Sequence, residues 1–142
     1  MKTVAQLLKL KRTGVIAIGP DVQVLDALKL LADKDVGAVL VMDGPRLVGI
    51  VSERDYARKV ALKGKSASDT PVSEIMTREV VCVTPNQTNE ECMALMTEKR
   101  ARHLPVIDDG RVVGVLSIGD LVKDAISEQQ FIIEQLEHYI HR

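Results

Sequence analysis

Apolar positions along the chain change period at regular intervals, and the changes predict one set of elements that occurs twice. Val15-Ile16-Ala17-Ile18 is a short apolar run closed by Gly19-Pro20, which predicts a buried strand. Val24, Ala27, Leu28 and Leu31 then recur at helical spacing, predicting a helix with one apolar face. Two further runs, Ala38 to Met42 and Leu47 to Val51, flank Asp43-Gly44-Pro45-Arg46, which is hairpin chemistry. Ser52 to about Leu62 predicts a second helix. The order is strand, helix, strand, strand, helix.

The same order returns at a constant offset of 65, residues 15–60 aligning without a gap on 80–125. Val48, Gly49, Ser52 and Asp55, for example, are matched by Val113, Gly114, Ser117 and Asp120. In the second copy Thr88-Asn89-Glu90-Glu91 is a capping box opening the helix that carries Cys92, Met93 and Met96, and Asp108-Asp109-Gly110-Arg111 is the hairpin turn. Val4-Ala5-Gln6-Leu7-Leu8 and Val72-Ser73-Glu74-Ile75-Met76 are similar apolar lead-ins, offset by 68. Ser127-Glu128-Gln129-Gln130 can cap a further helix whose Ile132, Ile133, Leu136 and Ile140 form a stripe. The expected organisation is one module over 1–142: repeat 1 at 1–63, a linker at 64–71, repeat 2 at 72–126 and a C-terminal helix at 127–142. A unit this small cannot hide its apolar faces alone, so the fold expected is α/β, two β-α-β-β-α repeats packed about a pseudo-twofold axis.

Composition narrows the functions. A net charge of -1 and a pI of about 6.3 speak against duplex nucleic acid and anionic membrane as partners. No Trp, one Phe and two Tyr leave no stacking platform for single strands. The apolar runs are short and interrupted by charge, so no span or signal peptide is expected and the location expected is cytoplasmic. Cys82, in a predicted strand, and Cys92, in a predicted helix, lack metal-ligand spacing and are expected as buried reduced thiols. His138 and His141 have no convincing third ligand, so no metal site is expected.

The strongest local motif is Gly49-Ile50-Val51-Ser52-Glu53-Arg54-Asp55, repeated as Gly114-Val115-Leu116-Ser117-Ile118-Gly119-Asp120. Ser-x-x-Asp is a capping box that starts any helix. The same geometry can also hold a ligand, because a hydroxyl and backbone N–H groups at a helix N-terminus favour phosphate, and an ionised Asp accepts two hydrogen bonds, as a ribose cis-diol requires. No activated Ser-His-Asp or Cys-His set, Walker loop or Gly-x-Gly-x-x-Gly is present, so no catalytic residue is assigned.

With its duplicated element order, its Gly-x-x-Ser-x-x-Asp endings and its Val-Ser-Glu-Ile-Met lead-in, the chain resembles a tandem pair of cystathionine-β-synthase (CBS) domains. The resemblance implies a regulatory, non-catalytic homodimer whose clefts between the repeats bind adenosine-containing ligands. One cleft would hold ribose on Asp120 and ribose or phosphate on Ser117, near Gly119, with Arg102 and His103 towards the phosphate and Thr13, Val15, Val36 and Gly37 on the adenine side. The other would use Asp55, Ser52 and Arg54, with Arg78, Val80, Ala101 and Arg102 on the adenine side. The ligands implied are AMP or NAD(H), then ATP or ADP, with S-adenosylmethionine less favoured because Arg54, Arg102 and His103 suit a phosphate better than a sulfonium. Output would pass to a separate protein partner of unknown identity. The competing reading is a structural dimerisation or adaptor protein with degenerate ligand sites, whose C-terminal stripe docks on itself or on another protein.

Overall fold

A computed structural model of the chain describes residues 1–11 and 14–141. Helix α1 (Val4–Leu10) is followed by β1 (Ala17–Ile18), α2 (Val24–Lys34), β2 (Ala38–Asp43), β3 (Arg46–Ser52) and α3 (Glu53–Tyr56), which runs on into a π-helical turn at Ala57–Ala61. A 3-10 turn at Val72–Glu74 leads to α4 (Asn89–Lys99), β4 (His103–Asp108), β5 (Arg111–Ser117) and α5 (Ile118–Ile140). These elements form two compact units, Val15–Val80 on one side and Met1–Gly14 with Val81–Arg142 on the other.

In the Val15–Val80 unit, β1 pairs parallel with β2, and β2 pairs antiparallel with β3. Val24, Ala27 and Leu31 of α2 meet Val39, Val41 and Val51 of the sheet in a core that also takes in Val60, Val72, Ile75 and Met76. In the other unit β4 and β5 form an antiparallel hairpin, and Val83 bridges Val106 in parallel. Its core joins Val4 and Leu7 of α1 to Val83, Cys92, Met96, Leu104, Val106, Leu116 and Leu121. Both hairpins shift register at the same place, between Val41 and Met42 and between Val106 and Ile107.

The lead-ins change places. Val72, Ile75 and Met76, which precede repeat 2 in sequence, are core residues of the Val15–Val80 unit, while Val4 and Leu7, which precede repeat 1, are core residues of the other. Equivalent hydrogen bonds anchor both. Val72 N donates to Val22 O and Val4 N to Gln87 O, each at 2.8 Å. Val24 N, at the start of α2, donates to Thr70 O at 2.8 Å, and Asn89 N, at the start of α4, to Lys2 O at 3.0 Å. The carbonyls just before each lead-in thus satisfy N–H groups that a helix start leaves over. Sequence repeats and packing units therefore have different boundaries.

Several local expectations need correction. The first strand of repeat 1 is two residues long, with Val15 and Ala17 exposed, and that of repeat 2 shrinks to the Val83 bridge. Each lies beside one strand only, so little holds it extended. Cys82 is accordingly exposed rather than buried, whereas Cys92 is buried in α4 as expected. Thr88 caps α4 by accepting from Glu91 N at 3.2 Å. No new helix begins at Ser127: α5 is continuous from Ile118 to Ile140, because no Gly or Pro interrupts the residues around Ser127. The predicted C-terminal helix is its second half.

Candidate functional site

Each unit builds its Ser-Asp motif at a strand end that turns into a helix. Ser52 caps α3: its Oγ accepts from Asp55 N at 3.2 Å, and Asp55 Oδ2 accepts from Ser52 N at 2.9 Å and from Ser52 Oγ at 3.1 Å. Ser117 caps α5 in the same way, Oγ accepting from Asp120 N at 3.2 Å and Asp120 Oδ2 accepting from Ser117 N at 2.8 Å. The first helical N–H in each case donates to the carbonyl before the first hairpin strand, Glu53 to Gly37 at 3.2 Å and Ile118 to Arg102 at 2.9 Å. The second, at Arg54 and Gly119, lies outside these cap bonds.

The two aspartates differ in how a lysine meets them. Lys59, one turn along the same helical segment, lies 3.0 Å from Asp55 Oδ1 and donates to Ile75 O at 2.8 Å. Both Asp55 oxygens are thereby engaged. Asp120 is met from the far end of α1 by Lys11, whose ammonium lies 2.8 Å from Oδ2 and donates to Val115 O at 2.7 Å. Both the cap and Lys11 use Oδ2, leaving Oδ1 outside these contacts. Burial opposes ionisation of Asp120, yet the Lys11 ammonium and the Ser117 donors outweigh it and hold the carboxyl below its usual range. Asp120 is thus a carboxylate at neutral pH.

His103 pairs with Ser117 across the β4–β5 hairpin and is half-buried. Burial lowers its pKa, with repulsion from Lys11 and Arg102 adding and Asp120 opposing. It therefore faces the site as a neutral imidazole, able to donate from one nitrogen and accept at the other. Its titration is thereby moved towards acid.

Within the Val15–Val80 unit lie Ser52, Arg54, Asp55, Val15, Val36, Gly37, Arg78 and Val80; within the other lie Ser117, Gly119, Asp120, Ala101, Arg102 and His103. Arg102 is exposed, and Arg78, also exposed, donates to Ser73 O at 3.1 Å. Thr13 lies outside the described residues.

Sequence reasoning missed Lys11, Lys59 and a buried polar cluster. Lys59 stands four residues after Asp55, a legible helical spacing. Lys11, more than a hundred residues from Asp120, offers no such signal. Behind Asp120, Asp124 Oδ1 pairs with Lys2 at 2.8 Å, and Asn89 Nδ2 donates to Asp124 Oδ2 at 2.7 Å and to Leu121 O at 3.0 Å. Lys2, Lys11, Lys123, Asp120 and Asp124, with Leu7, Leu10 and Ser127, line a cavity of about 350 Å³.

The family model of the CBS domain matches residues 5–62 and 72–126. The chain belongs to the CBS-domain family. A crystal structure of a CBS-domain protein superposes with a TM-score of 0.84 at 58% identity, covering 88% of this chain and 98% of that one. The mitochondrial CBS domain-containing protein CBSX3 of Arabidopsis thaliana is 40% identical over 125 residues, 84% of this chain and 61% of its own length. The chain thus spans less than two thirds of that relative. A CBS domain pair crystallised with 5′-methylthioadenosine and S-adenosyl-L-methionine has a TM-score of 0.79 at 23% identity, covering 90% and 98% of the two chains, and shares the fold. Among the described residues no helix is long and apolar enough to cross a membrane.

Proposed function

We propose that this CBS pair is a non-catalytic, cytoplasmic regulatory module that binds an adenosine nucleotide through its Ser-Asp caps, works as a homodimer and passes the signal to a separate protein. The observation that carries the reading is Asp120: a half-buried carboxylate, kept ionised, whose Oδ1 stands outside the cap and the Lys11 contact. An ionised carboxylate oxygen in that setting suits a ribose hydroxyl. The adjoining cavity falls in the size range of small-molecule sites; Lys2 and Lys11 on its wall are paired with Asp124 and Asp120, and Lys123 beside them suits a phosphate. Asp55, with both oxygens engaged, is the weaker ribose acceptor. The relative that holds two adenosine ligands supports the ligand class. AMP and NAD(H) lead, ATP and ADP follow, and S-adenosylmethionine is less favoured because Arg54, Arg102 and His103 suit a phosphate better than a sulfonium.

Calorimetric titration with AMP, ATP, NAD, NADH and S-adenosylmethionine tests this on the parent chain and on Asp55→Ala and Asp120→Ala. The expected result is micromolar binding of a phosphate-bearing ligand, weakened at least tenfold by Asp120→Ala and less by Asp55→Ala. Affinity unchanged in both variants overturns the assignment. No binding of any ligand favours the second reading, a structural adaptor, which the exposed apolar face of α5 supports.

A further inference from the structure

The second half of α5 carries an apolar series that its own unit does not cover. From Val122 the steps are four, three, four, three, four: Val122, Ile126, Gln129, Ile133, Leu136, Ile140. This is a heptad seam with isoleucine at every a position (126, 133, 140) and Val122, Gln129 and Leu136 at d. Ile126 is 61% exposed, Ile133 49%, Leu136 57% and Ile140 72%. Leu121 and Asp124 are the buried face of the same helix. At 3.6 residues per turn the seam is rotated from that face by roughly 130°, so it points away from the unit that holds the helix.

We propose that residues 122–140 pair with the same segment of a second copy of this chain as a parallel, in-register, two-stranded coiled coil. Isoleucine at all three a positions, with leucine at d in position 136, follows the pattern that favours two parallel strands; Val122 and Gln129 fill the other d positions. Ile132 and Tyr139 flank the seam at g and widen it. Every apolar side chain of the seam and its flank is at least 43% exposed, so a second copy seated on it covers one continuous apolar strip.

Gln129 decides the orientation. Parallel pairing sets it against Gln129 of the second copy, where two side-chain amides satisfy each other. Antiparallel pairing sets it against Ile133, leaving a polar amide in an apolar layer, in return for a surface pairing of Lys123 with Glu137. A rim ion pair contributes little, and an unpaired buried amide costs more. The pairing needs no nucleotide, so it stands apart from the ligand reading.

Disulfide trapping of the full chain tests the proposal. Leu136→Cys is made together with Cys82→Ser, so that the exposed Cys82 thiol does not compete, and Glu134→Cys, on the outer face, is the control. Folding is checked by circular dichroism; Leu136 and Glu134 are exposed, so neither change touches the core. Under mild oxidation the Leu136→Cys chain should become a covalent dimer in yield at least fivefold above the control, and adding Ile133→Asp should cut that yield at least tenfold. In an antiparallel pair the two 136 positions stand about 15 Å apart along the axis, beyond disulfide reach. Equal yields at 134 and 136, no covalent dimer at 136, or a monomer mass by light scattering overturns the proposal.

Discussion

Lys11 and Asp120 are joined by an ammonium–carboxylate contact of 2.8 Å that ties the end of α1 to the first turn of α5. Its counterpart, Lys59 with Asp55, comes from within one helical segment at 3.0 Å. The two repeats thus reach the same chemistry, a lysine on the cap aspartate and on a nearby backbone carbonyl, from positions that do not correspond in sequence. Lys11→Met should raise the Asp120 pKa and destabilise the protein by about 1 kcal/mol, the scale of a partly exposed pair that also bonds a carbonyl. Carboxyl NMR titration and urea denaturation measure the two effects; an unmoved Asp120 titration would show that the cap alone sets its ionisation.

His103 gives the protein a stability term that depends on pH. Its folded pKa lies below the unfolded value of about 6.5, so the unfolded chain takes up the proton first as pH falls. The contribution is present above 6.5 and lost on acidification through the folded pKa. Between pH 7.5 and 5.5 the parent should lose more stability than His103→Gln. Parallel losses in the two chains, read from urea midpoints, would remove this role.

Asn89 is buried and links α4 to α5 through Leu121 O and Asp124. Asn89→Ala withdraws both bonds and leaves Asp124 with Lys2, so thermal and urea unfolding should show a loss of about 2–3 kcal/mol. Burial disfavours the Asp124 charge, but Lys2 and Asn89 hold its pKa below 3.8. That contribution is present above 3.8 and lost as pH falls further, a loss that Asp124→Asn should lack.

Gly49 and Gly114 precede the cap serines because the lead-ins lie on them. A Cβ on Gly49 would stand 2.6 Å from Met76 Sδ and 3.0 Å from Thr77 O; on Gly114 it would stand 2.6 Å from Leu8 Cδ2. Gly49→Ala and Gly114→Ala should each destabilise by about 1–2 kcal/mol. Because the methionine tip can move, Met76→Ala should recover part of the Gly49→Ala loss; a strictly additive double variant would show that Thr77 O sets the cost.

The repeat, the element order, the hairpin turns and the Ser-Asp caps were legible in the sequence because each depends on residues a few positions apart. Hydrophobic period and side chains able to cap or turn the backbone are local properties, and the offset of 65 doubled the signal. The break expected at Ser127 misread a polar stretch inside a continuous helix, and Cys82 went astray because a strand with one neighbour has little to hold it.

Distance in sequence marks where that reading stops. Which repeat each lead-in packs against, that Lys11 meets Asp120, and how burial tunes His103 and Asp124 follow from residues brought together across dozens of positions. Local spacing carries no record of such contacts, since charge pairing and desolvation depend on separation in space. The chain's pattern was enough to define the two caps; folding gave Asp55 and Asp120 different surroundings, because the lysine that meets each one arrives from a different element.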